Sequence, residues 1–275
     1  MTVANGNRLE LRLGALRGAG RKALVTFITA GDPGPAATVP ALHGLVRGGA
    51  DVLELGVPFS DPEAEGPAIQ ASSERGLAQG MTLRGCLDLV RAFRADDPDT
   101  PMVLMGYLNA VLAMGVETFA AAAAEVGVDG LILVNLPPEE AAPLQTALRA
   151  HDIRLIFLVA PTTTEARARM IVEHASGFVY YVSLKGITGA DHLDTAAVGE
   201  RLRWLRRLTT LPVMVGFGIK DAATARAVAA HADGAVVGSA LVRTMAACAS
   251  APQQIPGRLE AQAREIKSAL DGMSA

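Results

Sequence analysis

The organisation of the chain is clearest at Glu54-Leu-Gly-Val-Pro-Phe-Ser-Asp-Pro-Glu-Ala-Glu-Gly-Pro67. Residues 50–55 form a short apolar run typical of a buried strand, and the glycine and proline that follow usually end such a strand. Glu54 is therefore predicted to lie where a strand gives way to a loop. The carboxyl ends of parallel strands open onto the ligand crevice, so a charged side chain there is well placed for chemistry. A solvated acidic loop, with Asp61 capping a turn, is the alternative interpretation.

The alternation of an apolar run and a helical pattern repeats along the chain. The predicted strands cover residues 23–30, 51–55, 102–107, 130–134, 154–159, 178–182, 213–215 and 234–237. Units of this kind, joined by short turns, predict one closed α/β barrel of the (β/α)8 TIM type, because eight parallel strands with right-handed crossovers can close. Residues 1–275 would then form a single domain, with an N-terminal helical segment at 1–20 and a C-terminal helical segment at 243–275.

A doubly wound open sheet is the alternative fold. Its dinucleotide-binding form needs a Gly-x-Gly-x-x-Gly turn after the first strand, and the sequence lacks that turn. Residues 63–83 and 183–193 are predicted to be the two long loops between a strand and a helix. Long loops on a compact barrel usually act as lids or contact surfaces.

Composition narrows the possible classes of function. A net charge of −3, with arginines scattered along helical stretches, argues against a nucleic-acid-binding protein. Cys86 and Cys248 are far apart in sequence, and neither they nor the five histidines show metal-ligand spacing. We therefore expect no disulfide and no metal site. The sequence shows no signal peptide and no apolar run of membrane-spanning length, which predicts a cytoplasmic protein.

Three glycine-containing turns follow the last predicted strands. They are Gly186-Ile-Thr-Gly189, Gly216-Phe-Gly218 and Gly238-Ser239. Glycine lets backbone N–H groups approach an anion closely, and a helix that starts at the third turn would add its positive end. Each turn alone is better explained as an ordinary tight turn. Together, at the ends of adjacent strands where barrels commonly bind phosphate, they predict a phosphate site.

Seven short motifs occur in order between about residue 24 and residue 242. They are Glu54-Leu-Gly-Val-Pro-Phe-Ser-Asp-Pro62, Val128-Asp-Gly-Leu-Ile132, Leu136-Pro-Pro-Glu-Glu140, Phe178-Val-Tyr-Tyr-Val-Ser183, Gly186-Ile-Thr-Gly189, Val215-Gly-Phe-Gly-Ile219 and Asp233-Gly-Ala-Val-Val-Gly-Ser-Ala240. This ordered set resembles the tryptophan synthase alpha subunit family. The resemblance implies retro-aldol cleavage of indole-3-glycerol phosphate to indole and glyceraldehyde 3-phosphate, without a cofactor. It also implies docking on a beta subunit that carries pyridoxal phosphate, in an alpha2beta2 heterotetramer.

The resemblance also implies a role for individual residues. Glu54 matches the acid/base glutamate of the family, and Glu65 matches its second catalytic carboxylate. The other implied residues are Phe27, Tyr107, Tyr180 and Thr188 at the substrate, Gly189, Gly216, Phe217, Gly218, Gly238 and Ser239 at the phosphate, and Pro58, Asp61 and Asn109 at the partner interface. These roles suit the chemistry, because cleavage requires protonation of the indole C3 atom and a carboxylate that accepts the ring N–H.

The sequence departs from the family pattern at Glu63, Glu65, Asn135 and Lys185. The family has an aspartate at the position of Glu65, and the longer side chain displaces the carboxylate by about one ångström if the backbone is unchanged. A misplacement of that size can lower a rate about 10²-fold. Glu63 adds a like charge nearby. We therefore expect slow turnover that Glu65→Asp would raise; if the loop has shifted to fit glutamate, Glu65→Asp would lower it.

Two other functions remain open. A barrel lyase retuned to another phosphorylated substrate would keep the phosphate site and change the loop carboxylates. A catalytically weak subunit would mainly bind and activate a partner. Turnover by the isolated chain and the identity of the organic product distinguish these possibilities.

Overall fold

The computed structural model describes residues 6–182, 195–216 and 218–273. Within these ranges, eight parallel strands form a closed barrel in which each strand pairs with the next and the last pairs with the first. The strands are β1 Ala23–Thr29, β2 Val52–Gly56, β3 Met102–Gly106, β4 Gly130–Leu133, β5 Arg154–Val159, β6 Val179–Val182, β7 Val213–Gly216 and β8 Gly234–Val237. The predicted TIM barrel is confirmed, and the open sheet is excluded.

Glu54 lies inside its strand and not at the strand's end. β2 continues to Gly56, and Glu54 is paired in register with Phe27 on β1 and Val103 on β3. The predicted end of this strand was wrong because Gly56 extends the ladder by pairing with Thr29. The carboxyl group is therefore held by the barrel wall and not by a loop.

Helices surround the strands. The described α-helices are α1 Arg8–Gly18, α2 Pro35–Arg47, α3 Pro67–Ala78, α4 Leu83–Arg94, α5 Leu108–Met114, α6 Val116–Val126, α7 Ala142–Ala150, α8 Glu165–His174, α9 Thr195–Leu205, α10 Ala222–Ala229, α11 Ser239–Ala247 and α12 Ile255–Asp271, with 3-10 helices at Pro138–Glu140 and Pro252–Gln254. The predicted long loop at 63–83 was wrong, because α3 occupies most of it. Proline is favourable at the first position of a helix, and Pro67 is the first residue of α3. The other predicted long loop, 183–193, lies outside the described residues.

Alternate strand residues fill the interior of the barrel. They are Val25, Val52, Val103, Ile132, Ile156, Met214 and Val236. Leu9, Leu13 and Leu16 of α1 belong to the same buried cluster, so α1 packs on the amino end of the barrel. The apolar layer closes this end, and the carboxyl end is left for a site.

Polar contacts fix α1 to the strand ends. The two carboxylate oxygens of Asp129 accept hydrogen bonds from Arg8 at 2.8 Å and Arg94 at 2.9 Å. The side chain of Asn7 donates to the carbonyl oxygens of Asp129 at 3.0 Å and Asp152 at 2.6 Å. Burial lowers the pKa of Arg94 to about 10, which leaves it charged at neutral pH. The amino end of the barrel thus combines an apolar layer with a buried ion cluster.

Among the described residues, no single helix is both long and apolar enough to cross a membrane. α5 and α6 satisfy length and composition only when taken together, and they meet at a bend of 98°. In the fold, α6 buries Phe119, Ala120 and Ala123 in the layer between strands and helices.

Candidate active site

A cavity of about 100 Å³ lies at the carboxyl end of the barrel. The predicted site residues that line it lie on β1, β2 and β6 and in the connections that follow β2, β7 and β8. The predicted site residues that line it are Phe27, Glu54, Glu65, Tyr180, Gly218, Gly238 and Ser239. Both predicted catalytic carboxyl groups therefore border the same space as the described glycine turns.

Glu54 is buried in this cavity, with 1% of its surface exposed. In the part of the chain that the structure describes, its Oε2 atom has no hydrogen-bond partner. Burial disfavours the charged carboxylate and raises the pKa of Glu54 from 4.5 to about 8. Glu54 therefore carries a proton at neutral pH, which is the state that a general acid needs.

Glu65 borders the cavity from the loop between β2 and α3. Its carboxylate accepts a hydrogen bond from the hydroxyl group of Tyr107. Its carbonyl oxygen accepts a second one, at 2.9 Å, from the side-chain amide of Gln70 on α3. The side chain of Glu63 is exposed, so water and salt weaken the like-charge effect that was expected from it.

α3 anchors the end of the loop that carries Glu65. The guanidinium group of Arg75 donates to both carboxylate oxygens of the buried Asp32, at 2.6 and 3.0 Å. The hydroxyl groups of Thr29 and Ser72 are hydrogen-bonded at 2.6 Å. Both contacts join α3 to the carboxyl end of β1. The end of the loop that meets α3 is therefore held in a fixed position.

Phe27 and Tyr180 supply the aromatic walls of the cavity. A Cβ atom at Gly56 would lie 2.5 Å from Cζ of Phe27, and one at Gly216 would lie 2.3 Å from the hydroxyl oxygen of Tyr180. Glycine at these two strand ends therefore makes room for the rings. Burial raises the pKa of Tyr180 well above its usual value, so its hydroxyl group stays protonated.

Tyr107 lines a smaller neighbouring cavity, together with Phe59 and Ser73. Phe27 and Glu65 border both cavities. The ring of Tyr107 stacks on that of Phe59, with 4.6 Å between centroids and 17° between planes. The structure thus brings Tyr107 next to two predicted site residues, but into a different cavity from Tyr180.

The predicted phosphate residues form the end of β7 and the start of α11. Gly216 ends β7, and Gly218 has a φ of +76°, a backbone conformation that favours glycine. Ser239 is the first residue of α11, whose free N–H groups and positive end favour an anion. The remaining predicted residues of the phosphate site and lid, Thr188, Gly189 and Phe217, lie outside the described residues.

The predicted partner residues differ in exposure. Asp61 and Asn109 are exposed, whereas Pro58 is buried against α3. A Cβ atom at Gly76 would lie 2.9 Å from Cγ of Pro58. Pro58 therefore shapes the loop, and Asp61 and Asn109 are available for contact.

Several apolar lining residues were not predicted from the sequence. They include Ile69, Met105, Leu158 and Val236. Met105 and Leu158 lie two positions after interior residues of β3 and β5, so strand alternation was the signal that could have identified them. No group of three or more His, Cys, Asp or Glu side chains among the described residues is placed to hold a metal ion.

The chain is similar to known proteins along nearly its whole length. The family described as tryptophan synthase alpha chain matches residues 13–271. A tryptophan synthase alpha chain from Alkalilimnicola ehrlichii is 55% identical over 268 residues, which are 98% of this chain and 98% of that protein. One from Laribacter hongkongensis is 55% identical over 265 residues, which are 96% of this chain and 99% of that protein.

Solved structures agree with this similarity. The alpha subunit of tryptophan synthase from Legionella pneumophila has a TM-score of 0.91 and 42% identity, and the match covers 97% of this chain and 99% of that chain. Tryptophan synthase from M. tuberculosis, in an aminoacrylate-bound form, has a TM-score of 0.85 and 35% identity, and the match covers 96% of this chain and 100% of that chain. The chain therefore belongs to the tryptophan synthase alpha chain family, and it is a carbon–carbon lyase.

Proposed function

We propose that the chain cleaves indole-3-glycerol phosphate by a retro-aldol reaction to indole and glyceraldehyde 3-phosphate. The observation that carries this proposal is the buried Glu54, whose raised pKa of about 8 keeps an acid inside an aromatic-walled cavity. Phe27 and Tyr180 offer flat apolar surfaces that suit an indole ring. Membership of the alpha chain family supports the same substrate.

The proposed reaction moves two protons and breaks one carbon–carbon bond. Glu54 donates a proton to C3 of the indole, and Glu65 accepts a hydrogen bond from the ring N–H, which stabilises the cation that forms. The ionised Glu54 then removes the proton of the hydroxyl group next to the scissile bond. The electrons of the C3–carbon bond return to the ring, the aldehyde is released, and Glu54 is again protonated. These steps require no cofactor, and pyridoxal phosphate is expected only in the beta subunit.

The phosphate group of the substrate is proposed to bind at Gly216, Gly218, Gly238 and Ser239, together with Gly189 and Phe217. Three of these residues, Gly218, Gly238 and Ser239, line the cavity, and the N-terminus of α11 offers its N–H groups there, which supports this assignment. Thr188 is proposed to belong to the lid over the substrate.

Gly216→Asp is expected to raise the dissociation constant for glycerol phosphate about 10-fold or more, because the new carboxylate repels the anion and its Cβ displaces Tyr180. Calorimetric titration measures this constant. The matched control is Gly257→Asp, at an exposed position of α12 where an added Cβ meets no atom within 4 Å. Equal affinity in the Gly216→Asp variant and the parent protein would refute the phosphate assignment.

A tryptophan synthase beta subunit is the proposed partner, in an alpha2beta2 heterotetramer. The exposed Asp61 and Asn109 are proposed contacts, and Pro58 is proposed to shape the loop that carries Asp61. Light scattering of the mixed subunits tests the stoichiometry. The cytoplasmic location stays a prediction, and so does the effect of Glu65 on the rate.

The decisive experiment is incubation of the purified chain with indole-3-glycerol phosphate, with and without a beta subunit. We expect indole in both cases, and faster release with the beta subunit. A different organic product would favour a retuned lyase, which is the second candidate. Activation of the beta subunit without cleavage by the alpha chain would favour the weak, partner-activating subunit. No indole under either condition would refute the proposed function.

A further inference from the structure

Tyr107 and Glu65 form a contact that depends on the length of the glutamate side chain. Tyr107 is 4% exposed and borders the smaller cavity, whereas Glu65 borders both cavities. The hydroxyl group of Tyr107 donates to Oε2 of Glu65. The hydroxyl oxygen of Tyr107 also accepts a hydrogen bond from the backbone N–H of Ala64 at 3.3 Å. The hydroxyl group is thus bonded to two successive residues of the loop.

The position of Tyr107 is itself well fixed. Its ring stacks on Phe59, which belongs to the same connection after β2. Tyr107 immediately precedes α5, and the N–H of Leu108, at the start of α5, donates to Oδ1 of Asn135 at 2.8 Å. The Nδ2 group of Asn135 in turn donates to Oδ1 of Asn109 at 3.0 Å. An aspartate in place of Asn135 could accept the first of these bonds but could not donate the second.

We propose that Tyr107 is a positioning residue, which holds the carboxylate of Glu65 at the edge of the substrate cavity and so fits the site to a glutamate. This inference rests on the proposed function of Glu65. With the backbone unchanged, an aspartate would place its carboxylate about 1 Å farther from the hydroxyl group, which lengthens and weakens the hydrogen bond. Of the two outcomes that the sequence left open for Glu65, the contact favours a site adapted to the longer side chain.

A double-mutant cycle on the rate of indole release tests the proposal. We expect Tyr107→Phe, which keeps the ring and removes the hydroxyl group, to lower kcat about 10-fold with KM changed less than about twofold. Glu65→Asp should lower kcat by a similar factor. Because the two side chains act as one unit, the double variant should also lose about 10-fold, and not the roughly 100-fold expected of independent effects. Independent effects, or a faster Glu65→Asp enzyme, would overturn the proposal.

Tyr181→Phe is the matched control. Tyr181 is buried between strands and helices, and its variant should keep the kcat of the parent protein. A readout without turnover is the 13Cζ resonance of Tyr107 in tyrosine-labelled protein, which contains three tyrosines. Glu65→Gln should shift this resonance and leave that of Tyr181 in place. A parent protein that makes no indole refutes the proposed function, whereas an unshifted Tyr107 resonance refutes the positioning role alone.

Discussion

Glu54→Gln is expected to lower kcat for indole release about 10³-fold. The amide keeps the shape of the side chain but can neither donate the proton to C3 nor take one from the hydroxyl group, and general acid–base catalysis typically contributes about 10² to 10⁴ in rate. In the parent protein, kcat/KM should fall as the pH rises past about 8, because the acid form of Glu54 is then lost. Steady-state rates over a pH series measure both effects.

The matched control for this prediction is Glu125→Gln. Glu125 is an exposed residue of α6, with 72% of its side chain accessible and an ion pair to Arg91. The Glu125→Gln variant should release indole with the same kcat as the parent protein. A Glu54→Gln enzyme that keeps more than about a tenth of the parent rate would contradict the acid–base role of Glu54.

The same substitution is expected to change the pH dependence of stability. Glu54 ionises near pH 4.5 when the chain is unfolded and near pH 8 when it is folded, so between these values the folded state binds one more proton. The contribution of the protonated Glu54 to the unfolding free energy is therefore fully present below pH 4.5, and it is lost as the pH rises to 8. The total loss is about 5 kcal/mol, because each pH unit is worth about 1.4 kcal/mol. The Glu54→Gln variant has no such loss, since an amide does not ionise in this range.

Urea unfolding at pH 5 and pH 8 measures this effect. The difference in unfolding free energy between Glu54→Gln and the parent protein should grow by about 3 to 4 kcal/mol in favour of the variant. Glu125→Gln should follow the parent curve at both pH values. Parallel curves for Glu54→Gln and the parent protein would show that the folded protein does not hold Glu54 in its protonated form. The loss of activity in Glu54→Gln would then need an explanation other than a protonated Glu54.

The barrel could be predicted because each of its strands is an apolar run followed by a helical pattern. The exceptions are local. The connection at 63–83 was expected to be a long loop, but α3 fills residues 67–78 of it, and its Pro67 lies at the first position of the helix, where proline is favourable. α5 was missed because it has seven residues and Val111 as its buried residue, which is too little for a helical period.

The location of the candidate site was predictable for residues on strands. Strand order and register bring Glu54 beside Phe27, and the same closed ladder brings Tyr180 to the same end. The bond between Glu65 and Tyr107 could not be predicted, because these residues are 42 positions apart and the bond depends on where two side chains lie at loop ends. The burial that raises the pKa of Glu54 likewise depends on the packed barrel and not on a local motif.

The attachment of α1 has a consequence for the order of events during synthesis on the ribosome. Asn7 binds the carbonyl oxygens of residues that follow it by 122 and 145 positions, so the first helix is made long before the surface that receives it. β1 must also wait for β8, its neighbour in the closed ladder. The segment that contains α1 and β1 therefore cannot pack when it emerges from the ribosome, because it contacts residues that are made later. Until those residues are made, the apolar face of α1 has no surface to pack against and is exposed; it consists of Leu9, Leu13 and Leu16.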